Sequence, residues 1–254
     1  MTSSLRATWA LMRRGLNEIL RVPAGAIPGV LAPTIFLLGL SAVFGAAARL
    51  PGFSAEDFMT FIVPVGMLQG AGFSGAATGV NLARDIERGW FDRLLLAPVP
   101  RPVVLTGIVA SASLRALLPA SFVVCVALAL GVDWPGVGAL VIAAVLVMAF
   151  AAAAACWATV VALRFRTQQA APLMQVVTFA AVLFTTAYAP KPLLSDWLAA
   201  ITTVNPVTLV LEGIRQGFVA DVTWGDTWPA LLAAAGLVAA LALLALRGMR
   251  GQGA

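Results

Sequence analysis

Histidine is absent from the 254 residues, and lysine and tyrosine occur once each, as Lys191 and Tyr188. Without histidine there is no H-E-x-x-H zinc helix and no imidazole base for a serine nucleophile. The single lysine follows Ala189-Pro190, so no G-x-x-x-x-G-K phosphate loop exists to hold ATP. Cysteine is limited to Cys125 and Cys156, each inside an apolar run. They read as buried free thiols and, with no imidazole to join them, offer no metal site. Charge is scarce too, at 11% of residues, where a soluble domain carries roughly 25%. All 11 acidic residues fall in loops, at span ends or in amphipathic segments; Asp133, at a turn beside Trp134-Pro135, comes nearest to an apolar run. Ion-coupled carriers place an ionisable carboxylate within the membrane, and no candidate for one stands here.

What the chain has in abundance is apolar length. Apolar residues make up 61%, and mean hydropathy is +0.97. Six apolar runs, at about 27–48, 58–80, 103–130, 137–163, 170–189 and 229–246, approach or exceed the ~20 residues that cross ~30 Å of hydrocarbon. The expected fold is an all-α membrane protein with six transmembrane helices. The first run begins near Ile27 after an arginine-bearing stretch and has no small-residue cleavage site, so it is expected to remain as an anchor. The third run is long enough for its first turns to project into the cytoplasm, letting Arg115 snorkel toward the inner headgroups.

Residues 1–26 form a separate N-terminal unit, ahead of the membrane domain at 27–254. Leu5, Trp9, Met12, Leu16, Ile19 and Leu20 recur at helical spacing, with Arg6, Arg13, Arg14 and Arg21 on the remainder. This is an amphipathic helix suited to the membrane interface or to a partner subunit, ended by Val22-Pro23. The N-terminal segment, the loops at 81–102 and 164–169 and the C-terminus hold 12 of the 16 basic residues. The positive-inside rule therefore puts both ends in the cytoplasm. A net charge of +5 is explained by that distribution and does not point to nucleic acid.

Two segments outside the spans stand out. The external stretch 190–228 is rich in apolar side chains and interrupted by Asn205-Pro206, which suggests two short helices folded back on the outer leaflet. Glu212 and Arg215 are spaced to pair on one of them, reading as a solvated ion pair. Within the second span, Gly72-Phe73-Ser74-Gly75 matches an intramembrane-protease G-x-S-G. With no base available, the repeated small residues Gly66, Gly70, Ser74, Gly75 and Gly79 instead read as close helix packing.

The most informative segment is the cytoplasmic loop from Arg84 to Arg101. Charges lead it: Arg84, Asp85, Glu87, Arg88, Asp92 and Arg93. Phe91, Leu94 and Leu95 then share one helical side, and Pro98 closes the ridge. A short helix parallel to the membrane would offer an apolar face and charged handles to a cytoplasmic partner. Glu87, Gly89, Asp92, Leu94, Leu95, Pro98, Val99 and Arg101 match the loop pattern of type-2 ABC exporter permeases, which this chain resembles. Phe61-Ile62-Val63-Pro64 through Gln69 to Thr78-Gly79-Val80, and Gly89-Trp90-Phe91-Asp92-Arg93, are similar to the daunorubicin-resistance branch. Asn205-Pro206-Val207-Thr208 and Glu212-Gly213-Ile214-Arg215 resemble the family's segment before the last span.

The resemblance implies a permease subunit in a bacterial cytoplasmic membrane, without catalytic residues of its own. ATP and Mg would belong to a separate ATPase present in two copies, working on a dimer of permeases, usually two identical chains. It also implies an ATPase-coupling role for residues 84–98 and a dimer cavity lined by the second and fifth spans. Gln69, Phe73, Gln175, Phe179 and Phe184 are the candidate substrate contacts, with packing as their alternative role. An apolar, acid-free membrane region suits a lipophilic drug, lipid or glycolipid as cargo. The competing classes are an ATP-independent carrier or channel and, on weaker grounds, an intramembrane enzyme.

Overall fold

The computed structural model describes residues 2–21, 27–53, 55–96 and 99–251. Among these the chain is helical, with short 3-10 turns and no strands. The N-terminal α1 (Thr2–Arg21) precedes α2 (Ile27–Phe44) and the 30-residue α3 (Phe58–Glu87). A short α4 (Trp90–Leu96) leads to α5 (Arg101–Ala129) and α6 (Val137–Phe165). Then come α7 (Ala171–Leu183), α8 (Asp196–Val204), α9 (Pro206–Val219) and α10 (Trp224–Arg250). The expected break at Val22-Pro23 and the ridge-closing Pro98 lie outside the described residues.

Five helices, α2, α3, α5, α6 and α10, are long and apolar enough to cross a membrane. A sixth span is reached by length and composition if α8 and α9, bent by 88° at Asn205, count as one. The apolar run at 170–189 differs from its expected form. Its helix α7 has only 13 residues, about 20 Å of rise, and the chain from Phe184 to Pro190 is irregular. The carbonyls of that irregular stretch are claimed by side chains from α9 and its cap, described below, so helix propagation stops although the sequence stays apolar.

The core lies where α3 crosses α6. Both are buried along most of their length, whereas α2 and α10 are covered on little of theirs and present apolar side chains outward. Small residues set the approach. A Cβ added at Gly75 would stand 2.5 Å from the Ala154 Cβ, and one at Gly79 would stand 2.4 Å from the Ala158 Cβ. The glycine repeat of the second span is therefore a packing seam, as its spacing suggests. Cys156 of α6 is buried, but Cys125 is exposed. It lies on the outer side of α5 with Leu118 and Phe122, a face the bundle does not cover.

Helix α1 docks along α5 as well as presenting an outer surface. A Cβ at Gly107 would fall 2.7 Å from the Leu11 Cβ, and one at Gly15 would fall 2.6 Å from the Ser111 hydroxyl. The residues that touch α5 are thus Leu11 and Gly15, while Leu5 and Trp9 of the expected apolar face are exposed. One side of α1 thus packs on this chain's own α5, and the other leaves Leu5 and Trp9 uncovered.

Candidate functional site

The arginine-rich end of the bundle gathers α1, the end of α3, α4 and the start of α5. It also gathers the end of α6 and the turn before α7. Three carboxylates organise it, each held by a different element. The Arg14 Nη2 of α1 donates to both Asp85 oxygens, at 2.7 and 2.8 Å. Glu87 accepts the Thr167 hydroxyl and the Gln168 backbone N–H, each at 2.9 Å, together with the Gln168 side-chain amide. Asp92 accepts from Arg166 Nη2 at 3.1 and 3.2 Å. The Arg14 guanidinium also lies 3.6 Å over the Trp90 ring. Glu87 stands on the last turn of α3, beyond the apolar span. Its bonds from the Gln168 side chain and backbone hold its carboxyl below the usual carboxylate range.

The expected continuous helix across the loop is divided. Gly89 adopts φ +68°, a left-handed conformation that ends α3 and lets α4 start in a new direction. Arg84, Asp85 and Glu87 therefore close α3, Arg88 caps it, and Asp92, Arg93, Leu94 and Leu95 belong to α4. Phe91 is fully buried among Leu82, Ile86, Val104 and Leu105 and anchors α4 to the bundle. Leu94 packs at the edge of the same cluster, whereas Asp92, Arg93 and Leu96 face outward. Leu96 is thus an exposed apolar side chain at the end of a helix that Phe91 fixes from beneath.

Arg115 does not reach outward to headgroups. Its side chain is buried, 8% exposed, and turns between the helices, where Nη2 donates to the Thr78 hydroxyl. It lines a cavity of about 160 Å³ between α1, α3, α4 and α5, with Arg14, Arg84, Asp85 and Arg88 in the same wall.

At the opposite end, the Glu212–Arg215 pair is only half solvated, because Arg215 is buried while Glu212 stays partly exposed. Arg215 is 3% exposed, lies 2.6 Å from Glu212 and stacks 3.8 Å over the Phe61 ring. It also donates to the Phe61 carbonyl at 3.2 Å and the Thr186 carbonyl at 2.9 Å. Pro64, one turn on, lacks the amide that would bond the Thr60 carbonyl of the same stretch of α3. Asn205 closes two helices at once. Its amide donates to the Ala181 and Phe184 carbonyls at 2.8 and 2.9 Å, and its Oδ1 accepts from the Val207 N–H at 3.0 Å. Pro206 occupies the first position of α9, where no N–H is needed.

Of the five candidate cargo contacts, Gln69, Phe73, Gln175 and Phe179 line one small cleft between α3 and α7. Gln69 donates to the Tyr188 hydroxyl at 3.1 Å. Phe184 stands apart, edge-on to Trp197 at 6.4 Å. Arg14, Arg166, Thr167 and Gln168, which hold the carboxylates, are missed as site residues by sequence reasoning. Arg14 and Arg166 register there only as positive charges, and Thr167 and Gln168 belong to no motif. Among the described residues no cluster of potential metal ligands is present.

A family model described as ABC-2 type transporter matches residues 6–219. The daunorubicin resistance ABC transporter permease protein DrrB1 of Streptomyces coeruleorubidus is 26% identical over 254 residues, covering 99% of this chain and 89% of its own. A putative transport permease, ycf38, of Cyanophora paradoxa is 24% identical, covering 83% and 73%. The probable multidrug ABC transporter permease YbhR of Escherichia coli strain K12 is 25% identical over 187 residues, covering 69% of this chain and 49% of the relative.

Proposed function

The chain belongs to the ABC-2 type transporter family, a multi-pass membrane protein by its helices and its relatives, and from that premise we propose that residues 84–98 receive the force of a separate ATPase subunit. The permease supplies the path and the partner supplies ATP hydrolysis, with its Mg. In this reading two copies of the chain face one another in a bacterial cytoplasmic membrane and two ATPase subunits sit beneath them. The arginine-rich end is cytoplasmic by the positive-inside rule. The helices α8 and α9 fold back at the outer face.

The observation that carries this is the three-way hold on the 84–98 segment. Asp85 ties it to α1, Glu87 to the turn before α7, and Asp92 to the end of α6. A displacement at the α3–α4 joint is therefore passed to α1, to α6 and to the turn before α7 rather than absorbed by a loose loop. These contacts lie at the solvent-facing end of the helices, where surface pairs are weak, so they can rearrange during a cycle while Phe91 keeps α4 attached.

Cargo follows from the lining. With no carboxylate in the spans and a cleft of Gln69, Phe73, Gln175 and Phe179, a lipophilic drug, lipid or glycolipid fits better than an ion. The naming of relatives for daunorubicin and multidrug resistance agrees with that class.

The test is to purify the chain with its ATPase and replace Glu87 or Asp92 by alanine. Assembly or cargo-stimulated ATP hydrolysis should fall several-fold in at least one of them. If both properties are unchanged in both variants, residues 84–98 are not the coupling element. Cargo movement by the reconstituted chain alone, without ATP, would instead mark an ATP-independent carrier.

A further inference from the structure

The joint between α3 and α4 is spanned by three consecutive residues from another part of the chain. Glu87 precedes Gly89 and Asp92 follows it, so these carboxylates stand on opposite sides of the left-handed glycine that divides the two helices. Both are held from the turn between α6 and α7. Arg166 takes Asp92, while Thr167 and Gln168 take Glu87. Gln168 is engaged twice over: its Oε1 accepts from Arg84 Nε at 3.0 Å, and its amide nitrogen donates to Glu87.

That turn rests on a strained backbone. Arg166 has φ +54° and ψ +24°, and among the described residues no other non-glycine has a positive φ. A Cβ in this conformation crowds a carbonyl oxygen, a strain that glycine escapes and asparagine tolerates. The fold still requires the conformation. The Arg166 N–H closes α6 on the Ala162 carbonyl at 2.8 Å, and the left-handed step then leaves Thr167 extended. There the Thr167 hydroxyl also accepts the Gln169 N–H at 3.3 Å. Glycine at 166 would make the same turn with less strain. What glycine could not supply is the guanidinium, which meets both Asp92 oxygens at 3.1 and 3.2 Å. Strain kept at a position whose side chain has a task points to function.

We infer that Arg166 is a positioning residue: it braces the Gly89 joint through Asp92, while Thr167 and Gln168 hold Glu87, and so fixes the angle between α3 and α4. The same turn leads into α7, whose Gln175 and Phe179 line the cleft against α3, so a change of angle at the joint pulls on α7 from its start. The part this angle plays in transport rests on the coupling reading above; the bracing itself does not.

The experiment uses the full chain in detergent and, in parallel, its complex with the ATPase. Arg166→Gly and Arg166→Asn suit the backbone and remove the guanidinium, whereas Arg166→Lys keeps both the charge and the strain. Amide exchange in residues 90–96, read by mass spectrometry, should rise several-fold in the glycine and asparagine variants. Lysine should recover most of the protection. The thermal midpoint should hold, or rise by up to about 4 °C, in the same two variants. An arginine serving only to cap α6 would lower the midpoint and leave α4 as it was. Unchanged exchange in 90–96 in both variants, or a midpoint that falls in both, would therefore overturn the inference. Asp92→Asn removes the partner without touching the turn, so its exchange in 90–96 decides the matter if the Arg166 variants do not fold. In the complex, cargo-stimulated ATP hydrolysis should fall together with α4 protection. If exchange responds but hydrolysis stays unchanged in the Arg166 variants, Glu87→Ala and Asp92→Ala alike, the bracing stands and the coupling reading fails. If hydrolysis falls in Glu87→Ala while the Arg166 variants keep both properties, the coupling reading stands and the bracing fails.

Discussion

Adding one carbon at Gly79 would place it 2.4 Å from the Cβ of Ala158, inside the seam where α3 meets α6. Neither partner is a flexible side chain, so the helices themselves must part. Gly79→Ala should cost about 1–3 kcal/mol, read as a lowered thermal midpoint of the purified chain, while Gly39→Ala on open α2 surface should not destabilise. Arg215 shows a different dependence on one side chain. Replacing it by methionine leaves Glu212 and the carbonyls of Phe61 and Thr186 without their donor. The expected loss is about 3 kcal/mol, the low end for a broken buried pair because Glu212 still reaches solvent. Lysine should recover only part of it, since one ammonium nitrogen cannot sit near all three acceptors that the separate Nε, Nη1 and Nη2 of the guanidinium reach.

Among elements, the joint between α3 and the turn before α7 is governed by one acid. Glu87 has a carboxyl held below its ordinary value of 4.5 in the folded chain, so the charged form is the one the fold favours. Its contribution is complete at neutral pH and fades as pH falls through that lowered value. Hydrogen exchange at the Gln168 amide, corrected for the intrinsic rate, should stay slow from pH 7 to below 4.5 and then rise. Glu87→Ala should abolish the protection across the whole range. The sequence displays the α3–α4 segment as charged and then apolar, which is enough to locate it. It does not reveal that Gly89 divides the segment, because a left-handed glycine is decided by where α4 must go to bury Phe91. The same limit applies to α7. Hydropathy sees 170–189 as uniform, but Asn205 and Arg215, some 20 to 30 residues downstream, take the carbonyls that a longer helix would have used.

For the whole molecule, the apolar runs make most of the helices legible, since they are a bulk property of a chain in lipid, and the distribution of arginine sets the expected orientation. Long-range polar pairings such as Arg14 with Asp85, 71 positions apart, leave no local pattern to read. Orientation itself is open to test. After removal of Cys125 and Cys156, a cysteine at Trp134 should react with an impermeant maleimide on intact cells. One at Arg250 should react only after permeabilisation; the reverse result would refute the assignment of both termini to the cytoplasm. Within that frame α3 deserves a mechanical description. Its 30 residues make a lever about 45 Å long. Arg215, itself buried, clamps one end at Phe61, and the other end is held by the Asp85 ion pair and the hydrogen bonds to Glu87, which water can loosen. Gly75 and Gly79 seat the middle of α3 against α6, so the two helices would turn together, and about 5° about the clamp would carry Glu87, ~39 Å from Phe61, through about 3 Å. The fulcrum lies far from the handle, and the stroke is largest where the ATPase is expected to pull.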